Sequence, residues 1–236
     1  VGARAAVGGR VTKVTVTLGT TGDLRGMMRP YALLPLRLLG SQFHAQDLGD
    51  RRLVLQEITI PDMPGIQSFA WGQHAGEWLL IGGRTDGLHR RQPFAAFLAT
   101  DNNTMAYVVD PTTEQVWSAS LSALPTPIHE QLQCTNMEFE MRGNTLYIIG
   151  GYGFSPTAND HITHSKLTAV DVPGAITAIK TGGSLAPHFR QINDARMAVT
   201  GGYLGLLNDE FYLVGGQRFI GRYNPMGPDF GPGFVQ

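Results

Sequence analysis

Three stretches decide the reading: Phe69-Ala-Trp-Gly-Gln-His-Ala-Gly-Glu-Trp-Leu-Leu-Ile-Gly-Gly83, Met137-Glu-Phe-Glu-Met-Arg-Gly-Asn-Thr-Leu-Tyr-Ile-Ile-Gly-Gly151 and Gly202-Tyr-Leu-Gly-Leu-Leu-Asn-Asp-Glu-Phe-Tyr-Leu-Val-Gly-Gly216. They align without gaps. In each, a half-apolar run meets a tight turn, and a nearly continuous apolar run then ends in Gly-Gly. Gly or Asn at the turn supplies the positive φ of a two-residue hairpin. The uninterrupted apolar run suits a strand covered on both faces. A repeat on this scale is a repeated supersecondary unit rather than three unrelated hairpins.

Working outward, more of each unit is legible. After Gly82-Gly83 a polar loop leads to Met105–Asp110, a turn at Pro111–Glu114, and a further strand at Val116–Leu121. After Gly150-Gly151 a loop leads to Leu167–Val172, the turn Pro173-Gly174-Ala175, and Ile176–Ile179 as the fourth strand. The sequence thus predicts four-stranded antiparallel sheets, repeated, and an all-β fold. Upstream, Arg52–Ile60 reads as an outer strand whose sheet partners lie elsewhere.

These residues give the chain a resemblance to the kelch-repeat family of β-propellers, over about residues 47–236. The first unit carries the whole pattern in Gly82, Gly83, Tyr107, Asp110 and Trp117. The second keeps Gly150, Gly151 and Asp171, with Val170 and Ile176 where the family has Tyr and Trp. The third keeps Gly215 and Gly216, preceded by Asp194-Ala195-Arg196. The resemblance implies a kelch-type propeller of four-stranded antiparallel blades, here incomplete, with about three blades present. Further blades are expected on the same polypeptide, because a propeller ring needs about four or more.

The remaining sequence narrows the function. A net charge of -1 across 236 residues argues against a nucleic-acid footprint. No apolar run is long enough for a membrane span. A single cysteine excludes an intramolecular disulfide framework, and Cys134 reads as a packed residue of an inner strand. Residues 1–46 read as an upstream segment, without helical or strand period in residues 1–26, followed by a signal peptide over 28–46. That peptide has a short basic start, an apolar core and a small-residue exit, and implies a secreted, periplasmic or cell-surface protein.

The unusual polar residues gather on loops after the glycine pairs and on connections between units. Arg84, Asp86, His89, Tyr152, His161, His164, Arg196, Arg218, Arg222 and Tyr223 read as one ligand-binding face, since variable loops on a rigid scaffold are where recognition is built. No cofactor is implied. Asp160-His161-Ile162-Thr163-His164 is the one metal-like spacing, and it reads as loop histidines without a metal. The expected function is a non-catalytic binding or scaffolding module for a protein or glycan. Resemblance also implies an alternative, because some kelch-like propellers act on sugars, as sialic-acid mutarotases do. Glu130 as acid/base and Arg196 as carboxylate clamp would then carry the chemistry.

Overall fold

The computed structural model describes residues 10–17, 52–87, 94–223 and 232–234. The segment read as a signal peptide, 28–46, lies outside the described residues, as does His89. Strands β1 (Arg10–Thr17) and β2 (Arg52–Thr59) pair in a two-stranded sheet. The Arg52 strand thus has a partner at Arg10–Thr17, a stretch in which the sequence showed no strand period.

From Thr59 onward, the first four-stranded sheet is antiparallel and in chain order: β3 (Ala70–His74), β4 (Glu77–Ile81), β5 (Met105–Asp110) and β6 (Gln115–Ser120). Helix α1 (Thr126–Leu132) leads to the second sheet, which holds β7 (Glu138–Arg142) and β8 (Thr145–Ile149). A separate hairpin of β9 (Tyr152–Ser155) and β10 (Asp160–Thr163) comes next. The second sheet then resumes with β11 (Lys166–Asp171), is interrupted by helix α2 (Val172–Thr181), and closes with β12 (Phe189–Asn193). Two further hairpins follow, β13 (Tyr203–Leu207) with β14 (Glu210–Val214), and β15 (Gln217–Phe219) with β16 (Pro232–Phe234).

The main departure from the sequence reading is α2. Ile176–Ile179 is helical, and the fourth strand of the second sheet is Phe189–Asn193. Pro173 occupies the first helical turn, where its missing N–H costs nothing, and Gly182 closes the helix at φ 72°. Val172, Ala175, Ile176 and Ile179 are all buried, at the i, i+3, i+4 and i+7 spacing of one helical face. Pro-Gly opens this helix instead of turning a hairpin.

The three glycine pairs repeat in backbone conformation as well as in sequence. Their φ values are 73° and 84°, 65° and 91°, and 66° and 90°. L-residues with a Cβ enter that region only at a cost of ~1–2 kcal/mol each. The second glycine of each of the first two pairs also ties its sheet to the chain leading into the next one. Gly83 N–H donates to the Cys134 carbonyl at 2.8 Å, and Gly151 N–H to Val199 at 2.9 Å. Space is as restrictive as conformation, since a Cβ on Gly150 would lie 1.9 Å from the Val199 carbonyl oxygen.

The main core lies between the two four-stranded sheets. Ala70, Leu79, Ile81, Ala106 and Val108 of the first meet Leu146, Ile148, Val170 and Phe189 of the second. The buried face of α2 and the α1 residues Ile128 and Leu132 complete it. Trp71 meets Phe139 edge-on, with ring centroids 6.4 Å apart. Over the first sheet, Lys180 Nζ of α2 sits 4.5 Å from the Trp117 ring centroid and bonds Glu77. Gly72 leaves room for this packing, because a Cβ there would come within 3.0 Å of Met141 and Val172 side chains. The other face of the second sheet receives the third hairpin, where Tyr147 and Phe211 pack at 4.9 Å.

Cys134 is fully buried and free, but it lies between α1 and β7 rather than on an inner strand. Its thiol donates to the Glu130 carbonyl at 3.2 Å. Burial first, and the nearby Glu130 charge second, push the thiol pKa up. A thiolate nucleophile is disfavoured there.

Candidate functional site

Loops that leave the ends of β4, β8 and β14 after their glycine pairs are cross-linked to one another. Tyr152, first residue of β9, sits at the centre. Its hydroxyl donates to the Gly221 carbonyl at 2.8 Å and accepts the Tyr223 N–H at 2.7 Å. Phe97 packs edge-on against both Tyr152 and Tyr223, at 5.2 and 5.3 Å, and Phe219 meets the same two rings. The Phe97 carbonyl bonds His161 Nε2 at 2.8 Å, while Thr163 donates to the Phe219 carbonyl at 3.0 Å. Residues from three loops, far apart in sequence, thus share one aromatic cluster with its polar atoms paired.

Arg84 anchors the first loop. It is 1% exposed and donates to Asp86 through Nε at 2.9 Å, to Asn102 at 3.0 Å and to the Leu98 carbonyl at 3.3 Å. Its guanidinium lies 5.1 Å from the Phe97 ring centroid. A buried arginine is tolerated where its fork is matched in this way. Asn103 fastens the same loop, donating to the carbonyls of Gly82 and Met105 at 2.9 Å each.

Of the residues expected on a ligand-binding face, the structure brings Arg84, Asp86, Tyr152, His161 and Tyr223 into or beside this cluster. Arg84, Tyr152, His161 and His164 are buried rather than presented. Burial lowers the pKa of His161, and lowers that of His164 to about 4, so both rings are neutral at pH 7. His164 Nε2 is buried without a hydrogen-bond partner. Among the described residues, no group of three or more His, Cys, Asp or Glu side chains is placed to hold a metal ion. Arg218 and Arg222 are exposed, and Arg222 donates to the Phe94 carbonyl at 2.6 Å. Phe94 and Ile220, neighbours in sequence of residues in this network, are 75% and 71% exposed.

The alternative pair is differently disposed. Glu130, on α1, is buried and accepts from Ser155 at 2.7 Å and from the Thr157 hydroxyl and N–H at 2.7 and 2.9 Å. Burial pushes its pKa up, but those hydrogen bonds outweigh burial and hold the carboxyl below the ordinary glutamate range. Arg196 is exposed and paired with Asp194 at 2.6 Å. Asp194 in turn is lowered to about 2, chiefly by the Arg196 side chain.

The signature residues serve the scaffold. Asp110 caps the turn after β5, accepting the Thr112 N–H at 2.8 Å and the Thr113 hydroxyl at 2.7 Å. Two polar hubs carry no sequence signal. Gln131 is fully buried and donates to the Ile148, Gly150 and Lys166 carbonyls at 3.1–3.3 Å, while accepting from Thr168 at 2.6 Å. Glu138 is buried and accepts the Gly202 N–H at 2.7 Å, with its second oxygen unpartnered. Burial pushes its pKa up to about 7.

Among solved structures the chain is similar to YjhT, at 14% identity and a TM-score of 0.44. The likeness covers 70% of this chain and 48% of that one, so the chain spans about half its length. No protein-family model and no curated protein matches.

Proposed function

We propose that these sheets are blades of a kelch-type β-propeller, and that the molecule is a non-catalytic recognition module for a protein or glycan. Support for the blades comes from the common register of the two complete sheets, the face-to-face stacking and the thrice-repeated glycine-pair conformation. The observation that carries the recognition reading is the interlocked loop platform around Tyr152. It cross-links described residues of three loops, next to the exposed Phe94, Ile220 and Arg222. Preorganised loops with exposed aromatic, aliphatic and arginine groups lose little entropy on binding and match the composition of interface cores. Glu130 and Arg196 favour this reading over a sugar-acting enzyme, because Ser155 and Thr157 engage the carboxylate and Asp194 the guanidinium.

The test is a screen of the full chain on a glycan array and on an array of extracellular protein domains. A ligand whose binding is lost in F94A/I220A, with an unchanged Tm, is the expected outcome. Catalysed anomerisation of sialic acid that disappears in Glu130→Gln would overturn it, as would binding indifferent to Phe94 and Ile220.

A further inference from the structure

Glu138 opens β7 with a carboxyl group at a position where the other two units carry none. In the gapless alignment of the repeats it matches Ala70 and Tyr203, and Ala70 is 0% exposed. Filling this buried place therefore needs no acid. Glu138 is 2% exposed. One of its oxygens accepts the Gly202 N–H at 2.7 Å, and the other, also buried, has no partner.

The donor belongs to a strap, residues 199–202, that leads into β13. The strap is held to the second sheet by hydrogen bonds at each of its residues. Gly151 N–H donates to the Val199 carbonyl at 2.9 Å, while Gly201 N–H and the Thr200 hydroxyl donate to the Asn136 carbonyl at 3.1 and 3.0 Å. On its other side, Thr200 and Gln217 exchange N–H···O bonds at 2.8 and 2.9 Å. Gln217 is the first residue of β15, whose Phe219 packs on Tyr152. Glu138 thus sits under the segment that joins the second sheet to the third hairpin and the third loop.

The charged groups around it are otherwise engaged. On the same face of β7, Glu140 accepts the Met141 N–H and Arg142 pairs with Asp209 of the hairpin turn. β8 places Tyr147 on this face, opposite Glu140, and the hairpin brings the ring of Phe211. Upstream of the strap, Asp194 and Arg196 pair with each other and stay charged at neutral pH. Burial pushes the Glu138 pKa up to about 7 in spite of the Gly202 bond. An ionised carboxylate closed in there has one oxygen that nothing solvates, and water reaches that oxygen only when the strap lifts.

We propose that Glu138 is a proton-operated latch: neutral, it lets the strap lie closed on β7, and ionised, it opens the strap to water. Once open, the carboxyl titrates as an ordinary glutamate, near 4.5, whereas closed it titrates near 7. The open-to-closed ratio is therefore flat in acid, rises by up to about tenfold per pH unit between those two values, and levels off above them. His161 on β10 and His164 just after it have lowered pKa values, so their titration favours the closed state as pH rises, the opposite sign. The latch is a property of the chain alone and does not depend on the loop platform having a ligand.

The experiment is amide hydrogen exchange of the full chain at pH 5, 6, 7 and 8, with rates corrected for the intrinsic base catalysis of exchange. Protection at 200–202 should fall about tenfold from pH 5 to 6 and several-fold more by pH 7, then change little. Protection at 77–81, in the first sheet, should not follow it. Glu138→Gln keeps an acceptor for the Gly202 N–H and cannot ionise, so its protection at 200–202 should be the same at every pH. Wild-type protection at 200–202 that is indifferent to pH would overturn the proposal, as would an equal pH slope in Glu138→Gln. A parallel fall at 77–81 would overturn it too, because the whole chain would then be opening rather than the strap. That comparison is made within the wild-type protein, so it decides the matter even where the variant does not fold.

Discussion

Gly150 and Gly215 occupy the same place in successive units, with φ values of 65° and 66°, yet they differ in what surrounds them. A Cβ on Gly150 would collide with the Val199 backbone, whereas a Cβ on Gly215 would meet nothing within 4 Å. Gly215→Ala is therefore expected to cost only the conformational strain, ~1–2 kcal/mol. Gly150→Ala has no side-chain torsion with which to escape and should cost upward of ~3 kcal/mol, or prevent folding. Denaturant midpoints of the two variants against wild type check this. Equal losses would show that backbone conformation alone accounts for glycine at these positions of the repeat.

At the scale of elements, strands ending in Gly-Gly were legible because hairpin turns and apolar runs are local signals. Helix α2 was not, because Pro173-Gly174 suits a turn as readily as a first helical turn, and the decision rests with tertiary burial. A helix and a strand make different demands on Ile176 and Ile179. Three apart on a strand, they would point to opposite faces; on the observed helix both are buried, at 3% and 5% exposure. Ile176→Ala and Ile179→Ala should each cost ~2–4 kcal/mol by calorimetry, whereas Thr177→Ala, on the exposed side, should cost under ~1 kcal/mol. The loop platform was legible only as a gathering of Arg, His and aromatic residues. Which of them face solvent was not, because burial of Arg84 depends on Asp86, Asn102 and Phe97 meeting it. Gln131 and Glu138 left no sequence trace for the same reason: a polar residue becomes a hub through partners that only the fold supplies.

For the whole molecule, two buried groups set opposing responses to pH. Glu138 has its pKa raised from 4.5 to about 7, so its contribution is complete below 4.5 and is lost as pH rises toward 7. His164 is lowered from 6.5 to about 4, so its contribution is complete above 6.5 and is lost as pH falls toward 4. His161, also lowered, acts in the same direction as His164. Each fully separated titration contributes a slope of about 1.4 kcal/mol per pH unit, and between pH 4.5 and 6.5 Glu138 opposes the histidines. Glu138→Gln keeps an acceptor for the Gly202 N–H and removes the titration. Its stability should fall distinctly on acidification from pH 6.5 to 4.5, where wild type changes less; parallel curves for the two proteins would contradict the assignment. Finally, the lone cysteine of this chain is sealed between α1 and the second sheet. With one thiol there is one chromophore to develop, and an aromatic disulfide reagent can reach it only when that seam parts. Its colour in native buffer is thus a clock for rare openings, readable without mutation, label or denaturant.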